Sequence, residues 1–136
     1  MAIAVAPWPN STQIEAEFAE ISELWSPRVV ASANGQYLKL AKVEGELVWH
    51  AHADEDELFI IHRGTFGLRY RDGREVILRA GDVHCVPKGV EHLPFTVGGP
   101  AYVMFFEPAT TKHTGDTISE RTRSLDQQTA HLASKI

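Results

Sequence analysis

A single cysteine, Cys85, stands among the 136 residues, so no internal disulfide can form and the fold must rest on its core. Basic residues are in the minority, 13 Lys and Arg against 18 Asp and Glu, for a net charge of −5. They form no stripe or block, so neither nucleic acid nor an anionic membrane surface is an expected partner. No apolar run approaches the roughly 20 residues needed to cross a bilayer. The opening M-A-I-A-V-A-P-W-P is apolar but short, lacks a basic flank and is broken by Pro7 and Pro9. It is not expected to act as a signal peptide, and a cytoplasmic location is the expectation. Phosphate-cradling glycine loops, a dinucleotide fingerprint and a Ser-His-Asp arrangement are all missing. So are repeats, low-complexity segments and linkers, which leaves one domain with room for a real core.

What the chain does have is G-E-L-V-W-H-A-H-A-D-E-D-E-L-F-I-I-H-R-G, from Gly45 to Gly64. His50 and His52 stand two apart, and alternate side chains of a β-strand project from one face. Both imidazoles can then converge on one ion. Glu57 follows an acidic turn and leads straight into the apolar run Leu58–Ile61, where a buried carboxylate demands a partner. His92, presented by the turn around Pro87 and Gly89, is the fourth candidate. Three neutral imidazoles and one carboxylate carry a total charge of −1, and mixed N and O donors without thiolate suit manganese, iron, nickel, copper or zinc. The expectation is one divalent transition metal ion per chain. His62, His84, His113 and His131 fit no such geometry, and no catalytic side chain is assigned.

Helical signals stand at the two ends. Thr12 and Glu15 have capping-box spacing, and Ile14, Phe18, Ile21 and Trp25 recur at helical intervals up to Pro27. Ser119–Leu132 reads as a weak amphipathic helix with Leu125 and Leu132 on one side. Between them the chain reads as about nine short strands: Arg28–Ala33, Gln36–Val43, Gly45–His52, Glu57–Arg63, Phe66–Tyr70, Glu75–Arg79, Val83–Pro87, His92–Val97 and Tyr102–Glu107. Asn34-Gly35 and Asp72-Gly73 mark tight hairpins. Strands at this spacing with no helices between them predict an all-β antiparallel barrel or jelly roll. The organisation expected is an N-terminal helical arm (1–27), a barrel (28–107) and a tail with a helix (108–136).

Alternation then sorts the faces. If His50 and His52 point inward, Glu46 and Val48 do too, while Leu47, Trp49 and Ala51 point outward. Glu57, Phe59, Ile61 and Arg63 share one face, which makes Arg63 the main basic candidate for the interior. Leu58 and Ile60 on the opposite face are apolar as well, so something covers the outside: the N-terminal helix, another subunit, or both. For the last strand, alternation does not decide between Tyr102, Met104, Phe106 and Val103, Phe105. A single bulge would reverse such assignments downstream.

The joint spacing resembles the two sequence motifs of the cupin superfamily: H-x-H, four residues, Glu57, six residues, Gly64, and later G-x5-P-x-G-x2-H from Gly81 to His92. It covers about Gly45 to Thr96. Thr96 stands where the second motif often has Asn, and E-P-x-T-T-x-H-T-G-D after the barrel is similar to the tail of small bacterial single-domain cupins. The spelling also resembles proteins compared with the cupin domain of phosphomannose isomerase. The resemblance implies a double-stranded β-helix (jelly roll), His50, His52, Glu57 and His92 in the metal-ligand positions, a homodimer, and a small organic molecule as ligand or substrate. Dioxygenase chemistry on an apolar or aromatic molecule suits the pocket wall. The alternatives are a sugar or phosphosugar isomerase, for which one arginine is few basic groups, and a non-catalytic binding or sensing module.

Overall fold

In the computed structural model, residues 11–134 are described; the apolar opening stretch with Pro7 and Pro9 lies outside them. The first element, α1 (Ile14–Ala19), is shorter than the spacing of apolar residues suggests. Its expected capping box does not form. Gln13 occupies the cap without a side-chain bond, Thr12 Oγ1 donates to the Val30 carbonyl at 3.4 Å, and Glu15 pairs with His62 and Arg63. The chain then leaves the helix, and Trp25 sits in the left-handed region at φ 56°. That turn sends its indole into the barrel core, where Nε1 donates to the Glu44 carbonyl at 2.9 Å, while Phe18 and Ile21 pack on the outside of the sheet.

Eight strands follow among the described residues: β1 (Arg28–Ala33), β2 (Gln36–Val43), β3 (Glu57–Arg63), β4 (Thr65–Tyr70), β5 (Glu75–Arg79), β6 (Val83–Val86), β7 (His92–Thr96) and β8 (Ala101–Pro108). Asn34 and Gly35 both take positive φ, 53° and 77°, the pairing a type I′ hairpin requires. The strands form two antiparallel sheets, β1-β2-β8-β3-β6 and β5-β4-β7. Between them lie Phe59, Ile61, Phe66, Leu68, Tyr70, Val103 and Phe105, all buried. Val103 and Phe105 therefore face the interior and Tyr102, Met104 and Phe106 the outside.

The expected ninth strand, Gly45–His52, is instead an extended strap that touches β7 at two bridges, Glu46 with Phe95 and His50 with His92. Four steps along the strap match three along β7, so the strap carries a bulge between those bridges. The bulge reverses the expected parity upstream of the histidines. Leu47 packs into the core, and Glu46 turns out to Arg69, with its Oε2 2.7 Å from Nη1. A second irregularity, between Ile61 and Arg63 in the pairing of β3 with β8, has the same effect on Arg63. Its guanidinium is exposed and bound to Glu15 at 3.0 Å, so the one expected basic group of the interior lies outside.

Gly67 sits in mid-β4 opposite Phe95, whose ring would lie 2.2 Å from a Cβ there. In the tail, the expected helix Ser119–Leu132 condenses to α2 (Leu125–Thr129) and a 3-10 turn, Ala130–Ser134. Ser119 and Thr122 spend their hydroxyls on backbone N–H groups, of Arg121 and Ser119 respectively, which competes with helix. Ser124 and Gln127 form the capping box that starts α2. Leu132 then packs with Val29, Tyr37 and Ala109 and fastens the tail to the barrel. No helix among the described residues is long and apolar enough to cross a membrane.

Candidate metal centre

The strap lies along β7, and this pairing builds the site. His50 N donates to His92 O at 3.0 Å and His92 N to His50 O at 2.9 Å, so the two residues face each other as a hydrogen-bonded pair. Their rings meet with centroids 4.4 Å apart. Gly45 opens the strap, and its N–H donates to Thr96 Oγ1 at 2.8 Å. The threonine thus anchors the strap from the far end of β7. Beyond His50, Gly89 N donates to the His52 carbonyl at 2.7 Å, which ties the Pro87–Gly89 turn to the second histidine. Glu57 enters from the first position of β3.

The structure brings together all four expected side chains, and all four are buried. One donor atom from each lies within 4.8 Å of every other. Glu57 Oε1 is 3.3 Å from His52 Nε2 and 3.6 Å from His92 Nε2. Ligand bonds of about 2.1 Å would place donors roughly 3 to 4 Å apart around one ion. Both distances from Glu57 fall in that range.

Proton positions support the same fit. His50 Nδ1 lies 2.8 Å from the Val48 carbonyl and His92 Nδ1 3.0 Å from the Val90 carbonyl. A carbonyl only accepts, so each Nδ1 carries the proton of the neutral ring and each Nε2 keeps its lone pair for the centre. His92 Nε2, both nitrogens of His52 and Glu57 Oε1 are buried with no hydrogen-bond partner among the described residues. Buried polar atoms left this way are costly unless something else binds them. A divalent ion held by three imidazoles and one carboxylate satisfies the convergent ones together, and these donors suit manganese, iron, nickel, copper or zinc.

Burial lowers the His50 pKa to about 4, with the neighbouring His92 adding to the shift, so the ring stays neutral and ready to ligate at physiological pH. Burial works to raise Glu57, but the adjacent His52 and His92 rings, 3.3 and 3.6 Å from Oε1, outweigh it and hold its carboxyl well below the ordinary range. Behind Glu57 stands a pair that alternation left undecided. Glu107 on β8 and Lys39 on β2 are fully buried, with Nζ 2.7 Å from Oε1. Burial and the charge of Glu57 push Glu107 upward, against the pull of Lys39. Glu107 shares its face with Val103 and Phe105, and Lys39 shares one with Ala41 and Val43. That pattern is the signal by which both were open to discovery.

Lined by His50 and Glu57 is a cleft of about 410 Å³ including its open mouth. Its walls are mainly apolar, among them Trp25, Val43, Leu47, Phe59, Phe66 and Phe105, and no lysine or arginine among the described residues lines it. His113 also lines it, and no strand pattern could have shown this, because the residue sits in the loop after β8. The other three histidines are engaged elsewhere. His62 binds Glu15 at 2.6 Å, His84 the Tyr70 hydroxyl at 2.7 Å, and His131 Nε2 donates to the Val29 carbonyl at 2.7 Å. Cys85 is exposed and contributes no thiolate to the centre.

A two-sheet antiparallel fold closing on such a cluster defines a small single-domain cupin. The chain belongs to the cupin family: the family model for the cupin domain matches residues 37–107. The crystal structure of a cupin-2 domain-containing protein from Shewanella frigidimarina is 44% identical, with a TM-score of 0.68, over 71% of this chain and 92% of that one. Protein NMB1881 from Neisseria meningitidis is 27% identical with a TM-score of 0.65, over 73% and 99%. An uncharacterized Bacillus subtilis protein, YdbB, is 34% identical over 73 residues, 54% of this chain and 65% of that relative's length. These matches support a small single-domain cupin without singling out a phosphomannose-isomerase-like subtype.

Proposed function

We propose that this chain is a metal-dependent cupin acting on a small, largely apolar organic molecule, with dioxygenase chemistry the reading its pocket supports best. The observation that carries it is the pairing of four convergent buried donors with an apolar cleft that no lysine or arginine among the described residues lines. A divalent ion held by His50, His52, Glu57 and His92 supplies polarisation of a carbonyl or hydroxyl oxygen and, when redox-active, electrons for dioxygen chemistry. The chain's own contribution is to hold the carboxylate of Glu57 ionised, keep the His50 imidazole neutral, and exclude water with Trp25, Phe59, Phe66 and Phe105. A phosphosugar isomerase would need basic groups to grip the phosphate. With Arg63 outside, that reading loses its only candidate.

The test loads the purified protein with iron(II), manganese(II) or nickel(II) and follows oxygen uptake against a panel of small hydroxylated aromatic and aliphatic compounds. Substrate-dependent uptake at full metal occupancy is the expected result. Turnover without oxygen uptake would replace the dioxygenase reading by an isomerase or lyase, and binding without turnover by a sensing module.

The homodimer belongs to the same proposal, with the expected interface revised. Leu47 faces inward, and Trp49 lies beneath the Arg71 guanidinium, 3.9 Å from its ring centre. Across the outer face of the five-stranded sheet, registered rows run Leu40–Met104–Ile60–Val83 and Leu38–Phe106–Leu58–Cys85. Helix α1 packs on the Leu40 and Met104 end. A partner seated on Phe106, Leu58, Ile60 and Val83 would bury on the order of 2,000 Å² in an obligate pair. Light scattering is expected to give a dimer at micromolar concentration, and a stable monomer would remove this part of the reading.

A further inference from the structure

We propose that His113 is a ligand-contacting residue whose Nε2–H grips one oxygen of a small carboxylate with an apolar body. The inference rests on the metal reading above and names the ligand class of that same site. It begins with a proton that the backbone assigns. Arg123 N donates to His113 Nδ1 at 3.0 Å, and a backbone N–H can only donate. The lone pair is therefore on Nδ1, and the neutral ring must carry its proton on Nε2. No described protein group takes that N–H, and the ring lines the same cleft as His50 and Glu57. Of the other polar side chains in the wall, Trp25 commits its N–H to Glu44, His50 commits its Nδ1–H to Val48, and Glu57 has only acceptors when ionised. Among the described residues, His113 is thus the one lining side chain with an uncommitted N–H.

The loop that carries it is fixed against the strap. Gly115, at φ 57°, passes so close to Ala51 that a Cβ would sit 2.0 Å from the Ala51 carbonyl oxygen, hence glycine. Thr114 is buried and bonds Thr122 Oγ1 at 2.7 Å and the Thr117 carbonyl. The ring is held in place from both sides, by this turn and by Arg123. Charge then selects the ligand. A divalent ion with Glu57 leaves one net positive charge in an enclosure with apolar walls, where an anion is favoured to neutralise it. A carboxylate offers one oxygen to the ion and a second to Nε2–H, while its apolar body meets the wall.

Metal-free protein labelled with nitrogen-15 should show His113 as the Nε2–H tautomer at neutral pH; the Nδ1–H tautomer would overturn the inference. Cobalt(II)-loaded protein is then titrated with acetate and butyrate, read by ligand-field absorption. Butyrate should bind more tightly than acetate, roughly fourfold or more for each methylene buried. His113→Phe should weaken both about tenfold or more, as loss of a hydrogen bond to a charged group does. His113→Gln, which keeps an N–H, should fall between, and cobalt per chain should be unchanged in both variants. Wild-type affinity in His113→Phe, or no binding of either anion by cobalt-loaded wild type, would overturn the proposal and leave the metal reading standing. Failure of wild type to take up cobalt would overturn the metal reading instead, and the ring tautomer would then decide the place of His113.

Discussion

Replacing His52 with alanine is expected to lower metal affinity by about 100-fold or more, beyond the 10- to 100-fold typical of losing an outer partner, while the barrel stays folded. The asymmetry comes from the hydrogen bonds. His50 and His92 each donate Nδ1–H to a backbone carbonyl, so removing either ring leaves a buried carbonyl short of a partner. His52 has no such bond among the described residues, and its deletion removes two buried nitrogens that lack partners in the metal-free protein. Three protein donors would remain, so weak binding of copper or zinc, high in the affinity order, is compatible with the account. His62→Ala is the matched control. It lies on β3 with the opposite parity to Glu57, stacked on Phe18 with ring centroids 5.2 Å apart and bound to Glu15. Metal per chain after gel filtration, with circular dichroism on both variants, is the measurement. Full native-like occupancy in His52→Ala together with loss in His62→Ala would reverse the assignment of faces.

The metal-free protein is expected to lose stability steeply as pH falls below the ordinary histidine range. Burial is the largest cause that lowers His50 to about 4 and His113 to about 3, from an ordinary value of 6.5. Between 6.5 and about 4 the unfolded chain binds protons at these two rings that the folded chain refuses. Unfolding therefore takes up protons, and stability, fully present above pH 6.5, is lost as pH falls toward the folded values. Each unit in that window costs about 1.4 kcal/mol per ring, so the fall from neutrality to pH 5 is about 4 kcal/mol for the two together. That is a large share of a typical domain's 5–15 kcal/mol or so. Urea unfolding in chelator at pH 7 and pH 5 measures it, and His113→Phe should reduce the slope. A flat profile would contradict burial of these rings in neutral form. Bound metal should flatten the upper part of the curve, because ligation also demands neutral imidazoles and releases metal only as protons compete for them.

The strand plan was legible because it depends on local alternation and turn chemistry. Asn34-Gly35 adopts the two positive φ values that its sequence suggests, and β3, β5 and β7 begin at the expected residues Glu57, Glu75 and His92. Bringing His50, His52, Glu57 and His92 together was legible too, since three extended stretches separated by turns at fixed spacing carry all four. The inverted faces have one physical source. Alternation is a count, and a bulge adds one to it without leaving a mark in composition. One bulge in the strap turned Leu47 inward and Glu46 outward, and another in β3 turned Arg63 to solvent. The first helix was overextended because Trp25 has helical spacing from Ile21 yet takes a left-handed backbone that no periodicity encodes. His113 lies in a loop held by its neighbours' hydroxyls and by Ala51, contacts between segments far apart in sequence. Glu107, the partner of Lys39, was hidden on the last strand, whose inner face alternation alone did not decide.

The centre itself is tested most directly by anomalous diffraction, at the absorption edge of the bound metal, from a crystal of metal-loaded protein. The account predicts one peak per chain between His50, His52, Glu57 and His92, about 2.0–2.3 Å from three imidazole nitrogens and one carboxylate oxygen. A crystal with metal in the drop but no peak there, or a peak held by other side chains, would contradict it.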